Sequence, residues 1–389
     1  MSTNNNNIIT LLQAQPAQTT NMGTIKQAIA VCIADELNLV PIIWGPTGWT
    51  KTATVKSLAN DLGLPLHVLM LSDKEATDVG GFPSKGETTN PDGDEVGVIN
   101  YLANGLIPWE HTHGKDYQCI LFIDELDRAP RDVLNVAIQL LLEKSINGFK
   151  LPKGCHIVAA GNGSADTDTT RLSKAVATRL CHFYVDTTGS ESLDHWVSWA
   201  SRTDSDVDQA LVGYARFRPA LFGGKPHTYV EHQAPNPRTF TMAAKALHFC
   251  ETELPPKMAK EVGNAIVVGL VGKQTGLEYV AFRSMFNECP TFEEVTTAPR
   301  KTTTKLIPKD QVGVAYALGE AFMARLYDDN KPEGSKEIDP ALSKAVVQYF
   351  SRCVVEIPEC KEAVVWWMRK AGAKLPSIVG SQEYQYLCR

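Results

Sequence analysis

Through the first half of the chain, short apolar runs alternate with stretches whose apolar residues recur at helical spacing. Pro41-Ile42-Ile43-Trp44, Cys119-Ile120-Leu121-Phe122-Ile123 and Cys155-His156-Ile157-Val158-Ala159-Ala160 have strand length, and near-continuous apolarity predicts strands buried on both faces of a parallel sheet. Val55, Leu58, Ala59 and Leu62 fall at i, i+3, i+4 and i+7 with Gly63 at the stop, and Val133, Val136, Ala137, Leu140 and Leu141 form another stripe. Both are the pattern of amphipathic helices. Ile25, Ala28, Ile29, Cys32 and Ile33 predict a first helix, which Thr24-Ile25-Lys26-Gln27 opens in capping-box form. Leu172 to Phe183 predicts a short helix running into a further strand.

From about residue 201 the strand pattern fades and helical spacing takes over. Val314, Ala317, Leu318, Ala321 and Phe322 share one face, a loop is expected over 328–340, and another helix near 341–356. Val364-Val365-Trp366-Trp367-Met368 fits the core of a helical bundle better than a partner surface. The division expected is a polar, Asn/Gln/Thr-rich flexible tail over 1–22, an α/β core over 23–200 and a helical region over 201–389. Residues after 300 either enlarge that bundle or form an appendage to it. Residues 84–97, rich in Gly, Asp, Glu and Thr, predict an exposed loop.

Candidate chemistry sits where strand patterns end. Between the first apolar run and the helix after it stands Gly45-Pro46-Thr47-Gly48-Trp49-Thr50-Lys51-Thr52. This is the form of a phosphate-binding loop: a strand feeds a tight turn whose backbone N–H groups face phosphate oxygens, and the next helix presents its positive end to the same anion. Lys51 is expected to reach the β- and γ-phosphates and Thr52 to ligate Mg²⁺. The departure is Thr50, a β-branched residue where the pattern has its second glycine. Bulky Trp49 shares the turn.

The second run ends in Asp124-Glu125, and the carboxyl ends of parallel strands are where ligands lie. Asp124 is expected to hold Mg²⁺ through its water shell, and Glu125 to polarise an attacking water. The alternative is an ordinary strand end with acids facing solvent. Asn162 closes the third run, placed to orient the same water, and Arg179 stands at the last helix–strand junction.

With these segments in this order, the chain resembles the AAA+ ATPases and, within them, the MoxR-like branch. The resemblance rests on Gly-x-x-Gly-x-x-Lys-Thr at 45–52, Asp-Glu-Leu-Asp-Arg-Ala-Pro at 124–130, Ala-Ala-Gly-Asn at 159–162, Ala-Thr-Arg-Leu-Cys-His at 177–182 and Pro-Asn-Pro-Arg-Thr-Phe at 235–240. Asp78 to Pro83 looks like the branch's insertion after the second strand, and Gly148 to Pro152 like the hairpin before its sensor strand. The resemblance implies a P-loop core with a parallel sheet flanked by helices, followed by an all-helical lid. It implies ATP and Mg²⁺ as ligands, Asn162 as first sensor, Arg179 as an arginine finger completing a neighbour's site, and Arg238 as a second sensor from the lid. Arg128 belongs to the same acidic motif without a settled role. A surface arginine capping a helix end remains the other reading of Arg179, and a lid-to-core ion pair that of Arg238. A homo-oligomeric, hexameric ring that remodels a client protein is implied too, with a partner carrying a von Willebrand factor A-type domain.

Composition leaves this picture standing and removes others. The 389 residues allow two domains, and 43% hydrophobic with 21% charged residues is ordinary for a globular protein. Net charge is −6, from 38 basic and 44 acidic residues, with no Lys/Arg block, so no general nucleic-acid affinity is predicted. A nucleic-acid motor or loader of the same fold, and a nucleotide-gated scaffold with little turnover, are the alternatives. Nine scattered cysteines without a Cys-x-x-Cys pair fit reduced thiols in a cytoplasm-like compartment. His111-Thr112-His113 is read as loop, not a metal site, and no apolar run is long enough to span a bilayer.

Overall fold

The computed structural model describes residues 22–34, 39–163, 172–185, 190–200, 207–222, 235–309, 312–327 and 337–388. The chain divides into two compact units, Met1–Asp186 and Thr187–Arg389. In the first, the described elements are α1 (Met22–Cys32), β1 (Pro41–Trp44), α2 (Lys51–Leu62), β2 (Leu66–Met70), α3 (Ala76–Gly80), β3 (Phe82–Thr89), β4 (Glu95–Leu102) and α4 (Glu110–His113). They continue with β5 (Cys119–Asp124), a 3₁₀ turn (Leu126–Arg128), α5 (Arg131–Glu143), β6 (Ser145–Ile146), β7 (Phe149–Lys150), β8 (Cys155–Gly161), α6 (Lys174–Ala177) and β9 (Cys181–Tyr184).

Five strands form one parallel sheet in the order β2-β5-β8-β1-β9. Apart from Asp124 and His156, its central strands are apolar because each face needs its own lining. Ile43, Ile120, Phe122, Val158 and Ala160 pack with Ile25, Ile29, Val55 and Leu58 of α1 and α2. The alternate residues Ile42, Leu121, Ile123, Ile157 and Ala159 pack with Val133, Ala137 and Leu140 of α5. Pleat alternation thus sends neighbouring residues of one strand into two separate cores. Because every strand runs the same way, their carboxyl ends open on one side of the sheet.

Three local expectations are corrected. Residues 84–97 are not a loop: β3 and β4 pair antiparallel from Phe82↔Leu102 to Thr89↔Glu95. The turn between them is closed by Asn90, whose Oδ1 accepts from the amides of Asp92 (3.0 Å) and Asp94 (2.8 Å). Both faces of this hairpin are largely exposed, so no apolar–polar alternation marks it in the sequence. His111-Thr112-His113 lies in the short helix α4, not a loop. There His113 and Tyr117 pack on His67 of β2, with ring centroids 5.4 Å and 5.9 Å away, and burial together with His113 holds His67 below the usual imidazole range. Thr24 does not open the first helix; α1 is under way from Met22. The hairpin expected before the sensor strand is present as β6 and β7.

The second unit is helical. Its described helices are α7 (Ser190–Ala200), α8 (Gln209–Phe217), α9 (Pro219–Phe222), α10 (Pro237–Glu253), α11 (Pro256–Val271), α12 (Lys273–Phe286) and α13 (Phe292–Thr297). They are followed by α14 (Val312–Leu326), α15 (Pro340–Glu356), α16 (Lys361–Gly372), α17 (Pro376–Val379) and α18 (Gln382–Leu387). One core runs through them, joining Trp196, Tyr214, Phe240 and Tyr279 to Phe322, Phe350 and Trp367. Residues beyond 300 therefore enlarge the bundle. Within α16, Val364, Trp367 and Met368 point into that core, while Trp366 stays half-exposed beside Tyr316. Residues 1–21 of the expected tail and 328–336 of the expected loop lie outside the described residues. No helix among the described residues is long and apolar enough to cross a membrane.

Candidate active site

β1 ends at Trp44 and α2 begins at Lys51, so six residues make the turn between strand and helix. Gly45 has no room for a side chain, since a Cβ there would lie 2.9 Å from Val185 Cβ. Gly48 takes φ +87°, where glycine alone is unstrained. Trp49 is buried against the core shared by α1 and α2, anchoring the turn from behind. Thr50 has φ 51° and ψ 10°, left-handed backbone immediately before the helix. The loop thus adopts the conformation that the glycine pattern serves, with a β-branched residue at a position that disfavours it.

Lys51 is buried at 8% exposure; its Nζ donates to Gly45 O (2.5 Å), Pro46 O (3.1 Å) and Asn162 Oδ1 (3.0 Å). Thr52 Oγ1 donates to Asp124 Oδ2 at 2.7 Å, and Asp124 Oδ1 accepts from the Glu125 amide at 2.9 Å. Four residues from three distant segments, Lys51, Thr52, Asp124 and Asn162, therefore meet at the carboxyl ends of β1, β5 and β8. Asn162 Nδ2 is buried with no hydrogen-bond acceptor among the described residues, a donor that a ligand oxygen would satisfy. Glu125 also has left-handed backbone (φ 55°), and its carboxylate lies 3.7 Å from Arg128 Nη1. Strained backbone at both Thr50 and Glu125, next in sequence to Lys51 and Asp124, fits a functional site.

The oxygen donors suit Mg²⁺. Thr52 and Asp124 offer a hydroxyl and a carboxylate 2.7 Å apart, and Mg²⁺ takes few protein ligands, completing its octahedron with water and phosphate oxygens. No cluster of three or more His, Cys, Asp or Glu able to cage a metal occurs among the described residues.

Within the first unit, one expected site residue stands apart from these four. Arg179 lies in the exposed turn between α6 and β9. Cys181 pairs with Pro41 at the beginning of β1, so Arg179 sits at the amino ends of the strands, while Lys51, Asp124 and Asn162 gather at their carboxyl ends. Arg238 is exposed in the first turn of α10, in the second unit, behind the cap formed by Asn236 and Thr239.

Asp127 escaped the sequence reading. It is 2% exposed and accepts from the Asn162 amide (3.0 Å to both oxygens) and the Gly163 amide (2.8 Å). The available signal was a second Asp three residues past Asp124, a spacing that the 3₁₀ turn folds back toward the sheet.

Residues 41–183 match the model of the family described as ATPase family associated with various cellular activities (AAA). This stretch has the P-loop AAA fold. No curated protein matches the chain. Among solved structures, the RuvB Holliday junction branch migration motor of Thermotoga maritima is similar at 16% identity, covering 83% of this chain and 87% of that one, with a TM-score of 0.36. NtrX from Brucella abortus in complex with ADP is 12% identical over 93% of this chain and 71% of that one, with a TM-score of 0.36.

Proposed function

We propose that this chain is an ATP-hydrolysing AAA+ protein of the MoxR-like branch, working as a homo-oligomeric ring to remodel a client protein. The observation that carries the reading is the convergence of Lys51, Thr52, Asp124 and Asn162 at the carboxyl ends of three strands, through the 2.7 Å and 3.0 Å bonds. Lys51, now satisfied by two loop carbonyls and Asn162, exchanges them for phosphate oxygens, and the amides that open α2 face the same anion. Mg²⁺ beside Thr52 and Asp124 supplies charge neutralisation on the phosphates. Glu125 accepts the proton of the attacking water, and Asn162 Nδ2 orients that water or the γ-phosphate.

Arg179 acts on a neighbouring copy. Strands rise about 3.3 Å per residue, so β1 alone separates the level of Arg179 from its own loop by roughly 13 Å. Such a finger in trans is worth about 10³ to 10⁵ in rate, and a monomer is nearly inactive. Arg238 contributes from the lid. The client is a polypeptide: net charge is −6, and the exposed hairpin tip carries Asp92, Asp94 and Glu95, which disfavours a polyanion. A von Willebrand factor A-type partner belongs to this reading through the resemblance.

The test is phosphate release against protein concentration for wild type, Glu125→Gln and Arg179→Ala, with ATP binding in parallel. Turnover that rises steeply with concentration and disappears in both variants, while both still bind ATP, is expected. Turnover independent of concentration removes the trans finger. Binding without phosphate release at any concentration, with or without a partner, turns the protein into a scaffold, and stimulation by DNA favours a motor.

A further inference from the structure

Asn162 stands between Gly161 and Gly163, the latter with φ +75°, so the chain on either side of it has the backbone freedom of glycine. Its side chain must nevertheless be held, because Oδ1 receives Lys51 Nζ while Nδ2 is the buried donor left for a ligand. Asp127 supplies the restraint. Both its oxygens are engaged by the amides of Asn162 and Gly163, and it has no ion pair among the described residues. A buried carboxylate is costly unless hydrogen-bonded, and bonds from amides to an ionised acceptor are among the stronger ones. Gly161 completes the clamp: a Cβ there would fall 3.0 Å from Asp127 Oδ1 and 2.4 Å from the Trp44 ring.

We propose that Asp127 is a positioning residue for nucleotide hydrolysis, tying the turn after β5 to the end of β8 so that Asn162 is presented at fixed distance from Lys51 and the γ-phosphate. This rests on the ATPase reading above. The clamp links the segment bearing Asp124 and Glu125 to the segment bearing Asn162, and the two halves of the catalytic apparatus keep one geometry through turnover. Displacing a catalytic group by about 1 Å can cost on the order of 10² in rate.

The experiment compares kcat, KM and ATP affinity for wild type, Asp127→Asn, Asp127→Glu, Asn162→Ala and the double variant Asp127→Asn/Asn162→Ala, with amide exchange at Asn162 and Gly163. Asp127→Asn turns one acceptor into a donor facing the amides, and Asp127→Glu keeps the charge but moves it by one methylene, so the two disturb the clamp in different ways, and thermal unfolding of each identifies the folded variants. Expected are faster exchange at both amides, a kcat loss of about 10- to 100-fold with ATP affinity within about twofold, and no added loss from Asp127→Asn once Asn162 is alanine. Losses that multiply in the double variant, or wild-type kcat despite lost amide protection, overturn the proposal while leaving the ATPase reading intact. A wild type that binds ATP and never releases phosphate removes that reading, and this proposal with it.

Discussion

β5 and the β3–β4 hairpin are both β-structure, separated by sixteen residues, and they are built on opposite terms. Every residue of β5 is buried, with Phe122 at 0% exposure, whereas Ile99 on β4 is 70% exposed and the paired Phe82 and Leu102 at the base of the hairpin are exposed too. β5 exists because two cores need its two faces. The hairpin exists because eight backbone pairs and an Asn-Asp turn satisfy each other. Burial leaves a mark on the sequence, and backbone pairing leaves almost none. The same contrast separates the cleft, where side chains from three segments depend on one another, from the hairpin, where a change stays local.

The sharpest test of this contrast is a pair of truncations. Phe122→Ala is expected to cost about 3–5 kcal/mol in chemical denaturation, while Ile99→Ala changes stability by less than about 0.5 kcal/mol. Equal losses would break the comparison. Gly161→Ala comes next: its methyl meets the Trp44 ring at 2.4 Å and Asp127 at 3.0 Å, for an expected loss of about 1–3 kcal/mol. It should also depress phosphate release, whereas Gly97→Ala in the hairpin, where nothing lies within 4 Å, should alter neither.

Thr50→Gly runs the other way. Left-handed backbone costs a β-branched residue about 1–2 kcal/mol, and glycine returns part of the gain as unfolded-state entropy, leaving an expected stabilisation of about 0.5–1 kcal/mol. Thermal unfolding checks the sign, and ATP affinity should rise if Thr50 holds the loop short of its best geometry. The smallest effect belongs to the half-buried edge strand β2. Because burial and His113 lower the His67 pKa below its usual 6.5, neutral His67 contributes stability that is complete above that value. This contribution is lost as pH falls through the depressed folded pKa. His67→Gln should flatten the part of the stability–pH curve that falls away below the usual imidazole value of 6.5.

Much of the cleft was legible beforehand because its residues are set by local spacing. Lys51 and Thr52 follow from the loop pattern, and Asp124 and Asn162 from their places at the ends of apolar runs. Asp127 was not legible, since nothing in a single sequence says which of two nearby acids turns inward. The hairpin was hidden for the opposite reason: β3 carries a loop's polar composition over Ser84 to Thr89, and with both faces exposed the apolar residues of β4 do not alternate cleanly with polar ones. Thr50 lay between these cases. The pattern marked it as a departure, and only its φ of 51° turned the departure into strain.

By itself the sequence determined the alternation of buried strands and amphipathic helices, the phosphate-loop spacing and the change to helices in the second half. Each is a matter of periodicity within one segment, and local periodicity is what burial selects. The tertiary structure decided which strands are neighbours, that Asp127 closes on Asn162, that Arg179 stands at the opposite end of the sheet from its own loop, and that residues beyond 300 share one helical core. Those outcomes depend on strand order and register, which arise from packing between segments far apart in the chain.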